Sequence, residues 1–301
     1  MYYHSLNEEM KARYGRKFYK LSLDGGMTCP NRDGTVGSRG CLFCSGAGEF
    51  AEDSRDGLDA QIARAKARVA GKLKGEVGYI AYFQSFTNTY APASRLRELY
   101  LPVVQRLDIQ ILDIATRPDC LGEEVLEVLE ELNRIKPLWV ELGLQTIHPE
   151  TARLIRRGYD LECFDRAVAA LRERGIEVVV HQILGLPGEE VEQMYATADY
   201  IAHAGVQGVK FHLLHVLRGT DLAALYERGD CPVLTMEAYF SLLMGCIARM
   251  PREMVIHRLT GDGDKRTLLA PLWSGDKKRV LNAMQAAFRA ADLEQGSLFC
   301  L

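Results

Sequence analysis

From residue 18 to about residue 220, apolar strand-like runs alternate with segments of helical period, and this alternation restricts the fold more than any other feature. The runs are FYKLSL (18–23), VGYIAYF (77–83), IQILDIA (109–115), LWVELGL (138–144), IEVVVHQIL (176–184) and GVKFHLLHV (208–216). Between them lie LDAQIARAKARVAGKL, ASRLRELYLPVVQRL, GEEVLEVLEELNRI, LECFDRAVAALRERG and PGEEVEQMYATADYIAHAG. In the first of these, Leu58, Ile62, Ala65, Val69 and Leu73 fall on one helical stripe. Strand and helix repeated about six times predict an α/β fold with a parallel sheet and right-handed crossovers. Strands as rich in Val, Ile and Leu as these suit burial on both faces. The remainder, 221–301, reads as a mixed extension packed on the 1–220 unit. It has a helix near 235–250, a short strand MVIHRL, a loop TGDGDKR and a helix KKRVLNAMQAAFRAAD, with Val280, Met284 and Phe288 on its buried face. A length of 301 residues fits one barrel-sized α/β domain with such an extension, or two small domains.

A net charge of −3 supplies no global basic signal for nucleic acid or anionic membrane. The first residues, MYYHSLNEEMKARYGRK, lack the apolar core of a signal peptide, and no apolar run approaches a membrane span. The expected location is the cytoplasm, where thiols stay reduced. Of eight cysteines, Cys120, Cys163, Cys231, Cys246 and Cys300 are scattered and read as small buried hydrophobes. Cys29, Cys41 and Cys44 differ. They stand as C-x11-C-x2-C in a loop rich in glycine and polar residues, too polar for core and odd in number for disulfides.

Ligands of parallel α/β barrels bind at the carboxyl ends of the strands. After the first strand come Asp24, Gly25, Gly26 and the three cysteines; after the second, Gln84, Thr87, Asn88 and Tyr90; after the third, Arg117, Asp119 and Cys120. The fourth carries Glu141 and ends in Gln145, Thr146 and His148; the fifth carries His181 and ends in GLPGEE; the sixth carries His212 and His215. Six decorated strand ends on one rim point to a site. The cysteine spacing admits both iron–sulfur and zinc. Zinc would need a remote fourth ligand or an open catalytic position. Three thiolates on a four-iron cluster leave one iron open. Gly40 lets the loop bend, and Phe43 would shield a cluster.

The segments FYKLSLDGGMTCPNRDGTVGSRGCLFCS, AYFQSFTNTYAP, ATRPDCL, ELGLQTIH, RRGYD, HQILGLPGE, HLLHVLRGTDLA and IHRLTGDG resemble those of radical S-adenosylmethionine (SAM) enzymes. The likeness covers almost the whole chain. It lies in the branch with a widened cysteine motif that includes the Elongator catalytic subunit, and closer still to a family of short bacterial proteins. The familiar superfamily pattern is C-x3-C-x2-C, and the eleven-residue spacing here is normal in that branch. The resemblance implies a partial (β/α)6 barrel, a [4Fe-4S] cluster on Cys29, Cys41 and Cys44, and SAM on the open iron. An electron from the cluster would cleave SAM to methionine and a 5′-deoxyadenosyl radical. It further implies SAM contacts from the FQSFTN turn with Gln84, Thr87 and Asn88, and from Gln145. Arg157 matches an arginine that pairs with the SAM carboxylate. His181 stands where some relatives place an aspartate near the ribose, and Leu184 to Pro187 match the adenine-side turn. Arg117 and Asp119 read either as ligand contacts or as a structural pair closing a strand end.

The resemblance also implies an unidentified substrate and an electron donor such as flavodoxin or ferredoxin. His212 and His215, three apart on one predicted strand, would face opposite sides, with His212 inside beside Lys210. Arg64, Lys66, Arg68, Lys72 and Lys74 read as a solvated helix face. Two other functions compete with a radical SAM enzyme of unassigned substrate: a tRNA-modifying enzyme, and a zinc-binding interaction module without catalysis. The six strand ends speak against the module. The acidic balance and the short segment after the barrel make nucleic acid the less favoured partner, and a small or medium-sized substrate the expected one.

Overall fold

The computed structural model describes residues 2–46, 52–73, 75–261, 263 and 265–300. Lys74 and two aspartates of the TGDGDKR loop, Asp262 and Asp264, lie outside them. The chain begins with helix α1 (Leu6–Tyr14) and then alternates as read from the sequence. β1 (Lys17–Leu23) is followed by α2 (Leu58–Ala70), β2 (Val77–Phe83), α3 (Ala93–Val104) and β3 (Ile111–Thr116). Next come α4 (Glu123–Ile135), β4 (Leu138–Gln145), α5 (Pro149–Leu154), α6 (Leu161–Glu173), β5 (Glu177–Leu184), α7 (Val191–His203) and β6 (Gly208–Leu213). The remainder holds β7 (Val216–Leu217), α8 (Asp221–Glu227), α9 (Met236–Arg249), β8 (Val255–Arg258), β9 (Leu268–Ala270) and α10 (Lys277–Ala290). No helix among the described residues is long and apolar enough to cross a membrane.

Six strands pair in sequence order, all parallel, and β8 adds a seventh beside β6. The sheet is a curled, open half-barrel with β1 and β8 at its edges. The segment read as an extension thus supplies a strand to the main sheet. The chain start lies along that strand, where Ile256 N donates to His4 O at 2.8 Å. Every residue of β3 is buried. Outside the sheet, the helices bury Leu96 and Tyr100 of α3, Leu129 of α4, Phe164 and Leu171 of α6, Ile201 of α7, Leu243 of α9 and Phe288 of α10 in one continuous core. Each such side chain contributes roughly 1.5–3 kcal/mol.

Helix α1 was invisible to periodicity because Met10 is its one buried residue. A capping box between Ser5 and Glu8 starts it, and Gly15 at φ 70° ends it. Met10 plugs the amino end of the barrel against Ile80, Ile111 and Trp139. The sixth strand also stops earlier than expected. Its ladder ends where Leu214 N bonds Leu184 O at 3.0 Å, and Val216–Leu217 then pairs antiparallel with Leu268–Ala270. His215 therefore lies off the strand, and the expectation that only one of His212 and His215 faces inward does not hold. Both line the same cavity.

Candidate active site

The cysteine loop is anchored at both ends. Gln61 of α2, 1% exposed, accepts from Asp24 N at 2.9 Å and donates to Asp24 O at 3.1 Å. A turn closes on Cys29 O, which receives Arg32 N at 2.8 Å. A second turn brings Cys44 N to Cys41 O at 3.0 Å. The Arg32 guanidinium donates to Cys44 O at 2.6 Å and packs on Gly40 and Gly46. Gly40 sits at φ +74°, and a Cβ there would stand 3.0 Å from that guanidinium. Between two of the cysteines, Leu42 N donates to Ile155 O at 3.1 Å and Leu42 O accepts from Leu222 N at 3.0 Å. Its side chain enters an apolar cluster with Ile155, Ile183, Leu214 and Leu222. The backbone carrying the thiols is thus stitched between the end of α5 and the start of α8.

Cys29, Cys41 and Cys44 open on one cavity of about 370 Å³ at the carboxyl rim of the barrel. Of the residues expected there, Gln84, Thr87, Arg117, Gln145, Arg157 and His181 line it, and so does Phe43. Asn88 does not. It is fully buried, and its amide donates to Phe83 O and Ala115 O, both at 3.0 Å, which closes the turn from inside. Leu184 and Pro187 are buried and do not line it either. Asp119 faces a neighbouring recess with Cys120, whose thiol burial and the Asp119 charge push up to about 12. Of the five scattered cysteines, Cys231 and Cys246 are buried, Cys120 and Cys163 half-buried, and Cys300 exposed, so the buried reading holds for two.

The arginines are engaged with the protein itself. Arg117 grips Asp119 with two bonds of 2.9 and 2.7 Å and donates to Arg157 O at 3.0 Å. Arg157 donates to the carbonyls of Leu144 (3.0 Å), Thr146 (2.6 Å) and Tyr159 (3.1 and 3.0 Å). Tyr159 lies between the two guanidinium groups, at 5.0 and 4.8 Å from its ring centre. Arg117 and Asp119 form the structural pair, and of the two only Arg117 borders the cavity.

Below the cysteines the cavity floor is ionic. Glu141, fully buried, accepts from Lys20 (2.8 Å), Lys210 (2.5 Å) and His181 Nε2 (2.8 Å), while Lys20 also bridges to Asp113. Lys210 reaches the Tyr82 hydroxyl at 3.1 Å. Burial alone would raise Glu141, yet Lys20, Lys210 and the His181 bond hold it well below the usual range. Burial and then the Glu141 charge push Asp113 up to about 7. Burial brings Lys210 down to about 8 and also lowers His181, against the pull of Glu141, and His212. Tyr82, Glu141, His212 and Arg258 reach the cavity surface. Of this layer, Lys20, Tyr82, Asp113 and Arg258 escaped the sequence reading. The signal was there in part: KFYKLSL, ILDIAT, LWVELGLQ and GVKFHL each place a charge (Lys20, Asp113, Glu141 and Lys210) inside a mostly apolar strand.

Three thiols on one wall match the donor set of an iron–sulfur cluster. Burial raises the Cys41 thiol, so an electropositive partner is needed to hold it as thiolate. Among the described residues no three His, Cys, Asp or Glu side chains converge on a single ion. Gln145 adds a second mark of a ligand site. It is held at φ 67°, and its buried Oε1 has no partner. The buried Thr87 hydroxyl is likewise unpartnered.

A family model described as the radical SAM superfamily matches residues 33–201, more than half of the chain. The chain belongs to the radical SAM superfamily. A second model, the radical SAM C-terminal domain, matches residues 206–290. The protein is accordingly a radical SAM enzyme that uses a [4Fe-4S] cluster and SAM, acts on a substrate and needs a reductant. It is 45% identical over 299 residues to the uncharacterized protein YtqA of Bacillus subtilis, across 99% of this chain and 92% of that one. It is 27% identical over 158 residues to a tRNA uridine(34) acetyltransferase of Methanocaldococcus infernus, across 50% of this chain but 28% of the relative. In fold it matches the archaeal Methanocaldococcus infernus Elp3 structure with a TM-score of 0.69 and 17% identity, across 92% of this chain and 64% of that one.

Proposed function

We propose that the cavity holds both cofactors, with Cys29, Cys41 and Cys44 as the cluster ligands and Gln84, Thr87, Gln145, Arg117, Arg157 and His181 around SAM. The observation that carries this is the opening of three thiols on one cavity that Gln145, whose Oε1 has no protein partner, also lines. When bound, the cluster supplies the electron that splits SAM into methionine and a 5′-deoxyadenosyl radical. The chain's own residues bind, orient and exclude water. Gln145 and Thr87 line the cavity and each carries a side-chain oxygen without a protein partner, which suits them to polar groups of SAM once the side chain turns outward, and the His181 ring borders the same space. Arg157 spends most of its N–H groups on backbone carbonyls, so its part is a positive field plus whatever contact its last N–H makes. Phe43 and the strand-end loops keep water from the radical. The reductant we propose is a one-electron protein such as flavodoxin or ferredoxin, and the location a reducing compartment such as the cytoplasm. Leu184, Pro187, Asn88 and Asp119 support the walls from behind.

The test is anaerobic reconstitution. About four irons and four sulfides should bind. Ala at Cys29, Cys41 or Cys44 should abolish the cluster, and Cys163→Ala should not. Reduced holoprotein should cleave SAM slowly without substrate. Zinc in place of iron after reconstitution would refute this assignment.

A second reading names a substrate class, a uridine in tRNA. The acetyltransferase relative, named for that target, favours it over half of this chain. Substrate-dependent 5′-deoxyadenosine formation on adding tRNA would establish it, and its absence would leave a smaller substrate.

A further inference from the structure

Asn31 lies two positions after Cys29 and is 3% exposed. Its side-chain Nδ2 is 2.7 Å from Arg156 O, 3.3 Å from Arg157 O and 3.4 Å from the Cys41 sulfur. These three acceptors determine which end of the amide is nitrogen, because an oxygen there would face two carbonyls. The other end is packed just as closely. Gly158 stands at φ +87°, and a Cβ on it would come within 2.7 Å of Asn31 Oδ1. Asn31 O also receives Gly40 N at 2.6 Å. The side chain is therefore held rigidly, with an N–H aimed at the sulfur. With the cluster in place the Cys41 sulfur would be a thiolate acceptor.

We propose that Asn31 sets the reduction potential of the cluster by donating an N–H···S hydrogen bond to the Cys41 sulfur, an inference that rests on Cys41 being a cluster ligand. Reduction adds one electron to the cluster, and the charge spreads onto the ligating sulfurs. A donor at a sulfur stabilises the more negative state and so raises the potential. The bond is buried, where water cannot substitute for it. Its consequence is a trade: the cluster accepts an electron more readily from a protein donor, and passes it to SAM with less driving force. Asn31 is a positioning residue here, acting through Cys41 rather than on substrate.

The experiment is a redox titration of reconstituted Asn31→Ala, followed by electron paramagnetic resonance of the reduced cluster. The variant should hold four irons and show a more negative midpoint potential than the unmodified protein. An unchanged or less negative midpoint in a variant with full iron overturns the proposal. A second measurement covers a variant that fails to assemble its cluster. Unmodified holoprotein carrying ¹⁵N-asparagine should show a weak nitrogen coupling to the reduced cluster, and its absence overturns the proposal. Cys41→Ala separates the two levels: full iron retention there would remove the ligand assignment itself, whatever Asn31 does.

Discussion

Gln145 combines two costs that a purely structural residue would not carry. A non-glycine residue in the left-handed region costs about 1–3 kcal/mol, and a buried acceptor without a partner adds to that. Gln145→Gly should therefore stabilise the fold by about 1 kcal/mol while weakening SAM binding by a similar amount. Thermal denaturation and a SAM binding isotherm would show this, and unchanged affinity would remove Gln145 from the site. Arg157 predicts otherwise. Its guanidinium satisfies carbonyls from β4 and the loop after α5, so Arg157→Ala should lose about 1.5–3 kcal/mol of stability together with SAM affinity. A variant with normal melting and normal SAM affinity would exclude both roles. Asp113 links the floor to pH. Its carboxyl is raised to about 7 in the fold against about 3.9 unfolded. The folded state thus binds the extra proton between these values, and stability falls as pH rises through that window. Asp113→Asn should flatten that slope in denaturant titrations from pH 4 to 7; an unchanged slope would assign it to other groups.

Helix α1 and strand β8 come from opposite ends of the chain and finish the barrel together. Ser5 bridges to Ile256, and five residues later Met10 seats on Ile80, Ile111 and Trp139. The plug lies at the amino end of the strands, and the cysteines lie at the carboxyl end. Met10→Ala should cost about 2–4 kcal/mol through the void it leaves, with iron content and SAM cleavage per cluster intact. Loss of cluster assembly in a folded variant would show that the two ends are coupled. The cysteine loop follows a different logic. It has no secondary structure of its own, and Leu42 ties it to the end of α5 on one side and to α8 on the other.

At the scale of the molecule, charge placement bears on substrate size. The basic stretch on α2 is largely neutralised: Arg64 pairs with Glu52 and Asp56, Arg68 with Glu52, and Lys66 with Asp108. Phosphate binding needs cations free to release counterions. That face should therefore not grip tRNA, and bulk tRNA should bind no tighter than about 1 μM at physiological salt. Sub-micromolar binding that is steeply salt-dependent, and is lost on neutralising Lys66, Arg68 and Lys72, would reverse this and favour the tRNA uridine reading.

The sequence by itself determined the repeating strand–helix order and the three thiols. Both are local signals: apolar period sets an element type, and thiol spacing sets a donor set. Four of the six predicted strands match to within one residue at either end, because a mostly apolar run between polar or turn-forming segments marks where a strand starts and stops. Only the tertiary structure decided that β8 enters the sheet, that the sixth strand stops at Leu213 and turns His215 inward, and that Asn88 and Asp119 face away from the cavity. The same holds for the ionic floor. Lys20, Asp113, Glu141 and Lys210 lie on four strands up to 190 residues apart, each two residues further along the parallel register than the one before, and the curl of the sheet brings their side chains together. A charge inside an apolar strand announces that it needs a partner; which partner it finds depends on curvature of the sheet, a property of all the strands and of no single one.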